Sequence, residues 1–279
     1  MTKAYLCKIV CLKIMILVVL YIGCNSKNEE SLNKENTSIE KLVSELKSKD
    51  WSYRYTAVTE LGKIRSKKSI DGLIEALKDK DENIRNLAIE NLAFFGKFAE
   101  DKLIDALKSR HRDQVVSVIY ILGKIKSVKS VEQLIKLLKS NDSFFRQSAA
   151  FSLGEIKSKE AINLLMDTLK DSDPIVQGQA AIALGKMKHL EAIDLILNLM
   201  HEKDEYLHNS LIIALGYMKS DRKKVVEVLI NVLKKDDFLP RSHATESLIK
   251  IGSKKVVKEL IIILENKNEK VRNLAVARQ

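Results

Sequence analysis

Residues 173–202 of the chain read DPIVQGQAAIALGKMKHLEAIDLILNLMHE, and the organisation of most of the chain follows from this segment. It opens on Asp173, whose carboxylate suits an N-cap because it accepts hydrogen bonds from the free backbone amides of a first turn. Apolar residues at helical spacing lead to Leu184, and a short basic link follows. Ile196 and Met200 then lie on the apolar stripe of a second helix. The stretch therefore predicts two amphipathic helices joined by a short link.

Variants of this helix pair recur about every 31 residues, from residue 39 to the end of the chain. The capping position is occupied by Asp50, Asp81, His111, Asp142, Asp173, Asp204, Asp237 and Asn268. A leucine of the first helix recurs as Leu61, Leu92, Leu122, Leu153, Leu184, Leu215 and Leu248. Small residues precede this leucine, and glycine usually follows it. One helix pair cannot bury its own apolar stripe, but stacked neighbours bury each other's, so the pattern predicts a repeat array.

The pattern D-x-x-[IV]-R-x-x-A-x-x-x-L-G-x-I, followed by a leucine-rich helix, resembles HEAT repeats of the short type found in phycobilin lyases. The resemblance covers nearly the whole chain after residue 38. It implies an all-α, right-handed α-solenoid of about seven stacked two-helix repeats over residues 39–279. Because this repeat is used mostly as a scaffold, the resemblance favours protein binding over catalysis.

Residues 1–23 are a different kind of sequence, with three lysines and then the apolar run IMILVVLYI. The run is too short for a membrane-spanning helix of about 20 residues, and the arrangement is typical of a secretory signal. Its end resembles a bacterial lipobox, which implies lipidation at Cys24, although the leucine of the motif stands one position early. An uncleaved N-terminal anchor is the alternative. Residues 24–38 are almost devoid of apolar side chains, and we expect them to form a disordered tether.

The formal charge of +11 falls to +8 once the three lysines of residues 1–23 are set aside. Much of the excess lies in the links from first to second helices, which predicts a basic edge able to bind anionic lipids, envelope polymers or an acidic protein. The alternative is that these cations are only solvated and complement helix C-termini. The candidate residues are Lys63, Arg65, Lys124, Lys126, Lys157, Lys188, Arg222 and Lys223.

The second helices carry acids near their starts and lysines near their ends, as helix dipoles favour, so we interpret both sets as structural. The aspartate and arginine columns of the first helices are interpreted as a capping and ion-pair ladder. If the second helices line a concave groove, as the resemblance implies, their solvent positions select the partner. These positions are Glu75, Asp105, Lys136, Asp167, Asn198 and Asn231.

No local motif for catalysis, nucleotide binding or metal binding occurs in the chain. All three cysteines precede residue 25, and His201-Glu202 is a single pair, whereas deoxyhypusine hydroxylases with similar repeats hold two irons with several such pairs. We therefore expect no cofactor, no metal and no catalytic residue. An enzyme or lyase subunit remains the alternative, together with a nucleic-acid-binding protein, which export disfavours.

The sequence thus predicts a lipid-anchored, protein-binding scaffold exported to the bacterial envelope. Two further expectations concern the ends of the array. Trp51, Tyr53 and Tyr55 are expected to close the exposed end of the stack, with an interface or membrane-contact patch as the alternative. Near the C-terminus, Leu274 and Val276 are expected to leave an apolar edge that permits end-to-end self-association; truncation of a longer ancestral array would explain the same edge.

Overall fold

A computed structural model describes residues 37–233, 238–253 and 256–257. Within these ranges the structure is helical, without strands, and the predicted all-α class is confirmed. The chain divides into two compact units, Met1–Phe95 and Gly96–Gln279, called unit 1 and unit 2. The signal segment, Cys24 and residues 254–255 and 258–279 lie outside the described residues, and so do the predictions made for them.

In unit 1 the described helices are α1 (37–45), α2 (Trp51–Leu61), α3 (Lys67–Ala76) and α4 (Glu82–Phe95). Helix α1 has the sequence of a second helix of the repeat, as predicted. It already includes residues 37 and 38, which the sequence assigned to the tether. The tether prediction was therefore too long by these two residues.

In unit 2 longer first helices alternate with shorter second helices. The first helices are α6 (Arg112–Lys124), α8 (Ser143–Ile156), α10 (Pro174–Lys186), α12 (Glu205–Met218) and α14 (Phe238–Ile251). The second helices are α5 (Glu100–Ala106), α7 (Val131–Leu137), α9 (Ile162–Thr168), α11 (Ile193–Leu199) and α13 (Lys223–Leu233). Each described first helix of unit 2 from α6 onward packs against the second helix that precedes it in the chain.

The predicted capping column is confirmed at most of the described repeats. Asp142 accepts a hydrogen bond from the backbone amide of Phe144 at 2.9 Å, and Asp173 accepts one from that of Ile175 at 2.8 Å. His111 occupies the same position and makes no side-chain hydrogen bond to the first turn. Each aspartate satisfies an amide that the helix itself leaves free.

The predicted leucine columns form the core. Every leucine of the first-helix column from Leu61 to Leu248 is 0% exposed. On the second helices the aligned residues Leu73, Leu103, Leu134, Leu165, Ile196 and Leu229 are also 0% exposed. In unit 2 buried apolar residues that run from Val115 to Val256 form one continuous interior, as expected for stacked repeats.

The first helices approach each other closely at the glycine column. A Cβ atom on Gly154 would lie 2.7 Å from the Cα atom of Ala183, and one on Gly185 would lie 2.7 Å from the carbonyl oxygen of Ala214. Backbone atoms cannot move aside as a flexible side chain can. Glycine at these positions therefore sets the spacing of the first helices in unit 2.

Two arginines of the column, Arg54 and Arg146, form the ion pairs of the predicted ladder with aspartates that are not capping residues. Arg54 Nε donates to Asp79 Oδ2 at 2.7 Å, and Arg146 Nε donates to Asp171 Oδ2 at 2.8 Å. Each arginine thus reaches the turn that precedes the next first helix. Arg146 Nη1 also donates to the carbonyl oxygens of Ser140 and Asn141, so one side chain ties together two turns of unit 2.

Candidate binding surfaces

The first helices of unit 2 run parallel, which brings their links to the same edge. A Cβ on Gly178, early in α10, would meet Tyr206 and Ser210 early in α12, and a Cβ on Gly185, late in α10, would meet Ala214 late in α12. All eight predicted basic-edge residues are exposed, two of them in unit 1 and six in unit 2. The exposure is compatible with a binding edge, and binding itself stays a prediction.

Much of this basic charge is paired, which the sequence did not indicate. Lys63 Nζ lies 2.6 Å from Glu60 Oε1, and Lys223 Nζ lies 3.6 Å from Glu227 Oε1. Such exposed pairs contribute little to stability, about 0–1 kcal/mol each. They do reduce the net charge that these residues present to a partner.

A second set of ion pairs connects neighbouring repeats within each unit. Lys129 Nζ lies 3.1 Å from Asp101 Oδ1, and Arg222 Nη1 lies 3.8 Å from Asp194 Oδ2. In unit 1, Lys68 Nζ lies 3.1 Å from Glu40 Oε1. The acids at the starts of second helices, interpreted from the sequence as dipole complements, therefore also neutralise the following basic link.

Four lysines in the links of unit 2 differ from the rest because their backbone is left-handed. They follow one another at intervals of 31 residues, with φ of 52° at Lys126, 59° at Lys157, 56° at Lys188 and 52° at Lys219. Gly96 and Gly252 occupy the corresponding positions with φ of 59° and 58°. All four lysines are exposed, and none has an ion-pair partner among the described residues.

The six predicted groove positions are exposed on the second helices. Three of them form ion pairs within their own helix or its last turn: Glu75 with Lys78, Asp105 with Lys108, and Lys136 with Glu132. Their role in choosing a partner stays a prediction.

The first helices of unit 2 form one layer. Helices α6, α8, α10, α12 and α14 pack directly against their first-helix neighbours and so present one continuous first-helix face. The groove on the second helices stays a prediction.

That first-helix face carries an aromatic and cationic row that sequence reasoning missed. The rings of Tyr120 and Phe151 stack with centroids 5.3 Å apart. Lys186 Nζ lies 5.0 Å from the Phe151 centroid and 5.8 Å from that of Tyr217, and Lys250 Nζ lies 4.3 Å from the Tyr217 centroid. Lys186 also forms an ion pair with Glu155. We call Tyr120, Phe151, Lys186, Tyr217 and Lys250 the aromatic row.

Further aromatic side chains lie nearer the N-terminal ends of the same helices. The guanidinium carbon of Arg112 lies 3.8 Å from the ring centroid of Phe144, and Gln179 Nε2 donates to the hydroxyl of Tyr206 at 2.6 Å. Phe144 is 47% exposed and Tyr206 is 42% exposed. The aromatic row could have been found by aligning the repeats and marking the columns outside the core. Each of its members stands either two residues before the column leucine or one residue after the glycine position.

In unit 1 the predicted end-closing aromatics remain accessible. Trp51 and Tyr55 stack with centroids 4.9 Å apart and are 44% and 38% exposed, and Tyr53 is 56% exposed. Tyr53 borders an open pocket of about 390 Å³ between α1 and α2, which Lys41 and Glu45 also line. The pocket gathers no set of catalytic side chains.

Neither a metal-ligand cluster nor a membrane-spanning helix occurs in the part of the chain that the structure describes. No group of three or more histidine, cysteine, aspartate or glutamate side chains is arranged to hold a metal ion there. None of the described helices has the length and apolar character needed to cross a bilayer. Cys24, the predicted lipidation site, lies outside the described residues.

Stacked helical pairs with a shared interior and long exposed faces define an α-solenoid repeat protein. The chain belongs to the HEAT repeat family, because a family model described as HEAT repeats matches residues 39–119, 100–172, 131–216 and 193–278. No curated protein matches the chain in sequence.

Several solved structures are similar to the chain. Kap121p bound to Nup53p has a TM-score of 0.67 at 14% identity, over 87% of this chain and 33% of that one. YibA of Escherichia coli has a TM-score of 0.57 at 22% identity, over 86% and 92% of the two chains. The complex of CpcE and CpcF of phycocyanin lyase from Nostoc sp. PCC7120 gives 0.46 at 23% identity, over 86% and 85%. At these identities the first two likenesses support the fold alone.

Proposed function

We propose that this HEAT repeat protein is an exported, lipid-anchored scaffold that binds a protein partner at the bacterial envelope, without catalysis of its own. The observation that carries the proposal is the aromatic row on the first-helix face of unit 2. Tyrosine, tryptophan and arginine are the side chains most enriched among binding hot spots. The row supplies two such tyrosines, Tyr120 and Tyr217, together with Phe151, over several repeats.

The side chains of the aromatic row already contact one another in the absence of a partner. Phe151 stacks on Tyr120, and Lys186 lies between Phe151 and Tyr217 with its charge paired to Glu155. Side chains that are already held lose less conformational freedom on binding. We therefore expect an extended or helical protein segment to lie along the row, with apolar side chains against the rings.

The membrane part of the proposal rests on the N-terminal sequence. A basic start, a short apolar stretch and Cys24 after a small residue are typical of a lipoprotein signal, and residues 25–36 would supply a polar tether. At about 3.5 Å per residue such a tether reaches at most roughly 45 Å from the bilayer. The body would then be held where it can meet envelope proteins.

Partner binding is tested by crosslinking in the native envelope. Tyr120→Ala with Tyr217→Ala should abolish the crosslinked species that the wild-type protein forms. Tyr53→Ala, which changes an exposed tyrosine of unit 1, is the matched control and should retain them. If the double variant folds, as judged by circular dichroism, and still crosslinks like wild type, the aromatic row is not the binding site.

Anchoring and the absence of catalysis have separate tests. Cys24→Ala should abolish fatty-acid labelling and release the protein from membranes; continued labelling and sedimentation of the variant would contradict the lipoprotein assignment. Metal analysis of the purified protein addresses the enzyme alternative. Stoichiometric iron would contradict the scaffold proposal.

A further inference from the structure

The four left-handed lysines of unit 2 occupy positions where lysine is a costly choice. A left-handed backbone brings Cβ too close to the following carbonyl oxygen, and helices commonly end on glycine there for this reason. Gly96 and Gly252 show that this chain also uses glycine at the equivalent position. Strained backbone that is retained at several sites points to a function for the side chain. Here the side chain supplies only a long apolar stem and a charge.

These lysines also account for the net charge of their edge. The links 125–130, 157–161, 187–192 and 219–222 contain seven lysine and arginine residues and three acids, a net charge of +4 with histidine neutral. Among the other cations, Lys129 and Arg222 are engaged by Asp101 and Asp194. Removing the four left-handed lysines would leave the edge with no net charge.

Exposed apolar side chains accompany the charges on the same edge. Val128 is 69% exposed and Leu190 is 40% exposed, and each lies two residues after a left-handed lysine. A row of cations with apolar side chains between them suits the boundary of an anionic bilayer, where lysines meet headgroups and apolar groups enter the interface. With helix separations of about 8–10 Å the row spans roughly 30 Å, a flat contact rather than a pocket.

We propose that Lys126, Lys157, Lys188 and Lys219, with Val128 and Leu190, form an edge that lies on an anionic phospholipid surface. This contact goes beyond the proposed partner binding and does not require lipidation at Cys24. The contact would place this edge of unit 2 on the bilayer, so that the first-helix face stays accessible to a protein partner. The recognised chemistry is the net negative charge of anionic headgroups in a bilayer.

The test measures how the full chain distributes between phosphatidylcholine vesicles and vesicles that also contain phosphatidylglycerol. Residues 1–24 contribute equally to vesicle binding in all variants, so a difference between variants reports the substituted residues. Replacing all four lysines by glycine should lower the preference for anionic vesicles by about 600-fold, because each lysine near such a surface contributes about fivefold. The preference of wild type should fall as salt is added.

The matched control removes four lysines from the second-helix layer: Lys41, Lys78, Lys108 and Lys136, each changed to glutamine. This control changes the net charge by the same amount as the four-glycine variant. Because the charges of these lysines are paired within the same helix or turn, the control should lose no more than about threefold of the preference for anionic vesicles. If the control loses as much as the glycine variant, or the glycine variant keeps the wild-type preference, the proposal is wrong.

Two further variants separate local contact from general charge and from folding. The four-asparagine variant removes the same charges with a residue that tolerates the left-handed backbone, and it should behave like the four-glycine variant. Val128→Ser with Leu190→Ser should weaken binding to anionic vesicles without changing its salt dependence. A soluble polyanion provides the last comparison. If the four-glycine variant loses binding to the polyanion but keeps the wild-type preference for anionic vesicles, the row recognises a polymer and the lipid assignment is wrong.

Discussion

Arg146 and Asp171 form a two-point ion pair in which Nε and Nη2 each donate to a different carboxylate oxygen at 2.8 Å. Their side chains are 15% and 12% exposed, so the pair is largely removed from water. Asp171 also accepts the backbone amide of Asp173 at 2.9 Å, the residue that caps the next helix. One arginine thus connects the start of its own helix to the start of the following one.

Breaking this pair from one side should be costly. Asp171→Ala leaves the Arg146 guanidinium poorly compensated, and we expect the free energy of unfolding to fall by about 2–4 kcal/mol in urea titrations. Glu132→Ala, which removes an exposed partner of Lys136, is the control and should cost under about 1 kcal/mol. Equal losses for the two variants would contradict the structural role assigned to the pair.

The same pair predicts a dependence of stability on pH. Burial alone would raise the pKa of the Asp171 carboxyl, but hydrogen bonds from Arg146 and from the amide of Asp173 outweigh burial and hold the pKa below its ordinary value. A lowered pKa in the folded state stabilises the protein above the unfolded value of about 3.9, and this contribution is lost as pH falls through the folded value. In acid titrations of unfolding, Asp171→Asn should therefore lose less stability than wild type below about pH 4. If Asp171→Asn and wild type lose stability equally below that pH, the pKa of Asp171 is the same in the folded and the unfolded state.

The glycine column should be intolerant of a single methyl group. Gly154→Ala places Cβ 2.7 Å from the backbone of Ala183, and forcing α8 and α10 apart should cost about 1–3 kcal/mol of unfolding free energy. Gly62→Ala is the comparison, because the atoms nearest its new Cβ belong to the end of the Asn91 side chain, which can turn away at the loss of its hydrogen bond to the Val58 carbonyl oxygen. If both substitutions cost the same, backbone contact does not set the spacing.

Relief of the left-handed backbone should be visible in stability. Lys157→Gly should raise the unfolding free energy by up to about 1 kcal/mol, because glycine adopts φ of 59° without a Cβ clash. Lys159→Gly, two residues further along the same link, should lower it instead. A loss of stability at both positions would remove the argument that the four lysines are retained against their own conformational preference.

The aromatic row makes its own prediction for stability, separate from partner binding. Lys186→Met removes the charge that pairs with Glu155 and lies over Phe151 and Tyr217, and we expect a loss of about 1–2 kcal/mol. Lys124→Met is the control, because Lys124 is exposed and its Nζ is 5.9 Å from the Tyr120 centroid. Urea titration of both variants distinguishes an organised row from independent surface side chains.

The repeat period, the helices, their caps and the buried leucine columns all followed from the amino-acid sequence. Each of these features depends on residues close together in one repeat. Because the pattern recurs along the chain, it can be recognised despite irregular positions such as His111. The core was predictable for the same reason: a leucine that recurs on one helical face has nowhere to be buried except against the neighbouring repeat.

Partners across repeats were decided only by the tertiary structure. The sequence placed Arg146 in an ion-pair ladder without naming its partner, and the register of one hairpin on the next brings Asp171 within reach. The left-handed lysines were invisible in the sequence, since a glycine usually marks such a backbone. The rings of Phe151 and Tyr217 lie in different repeats, and only the close packing of first helices brings Lys186 between them. Local patterns therefore determined the hairpins, and the packing of hairpins determined the surfaces available for binding.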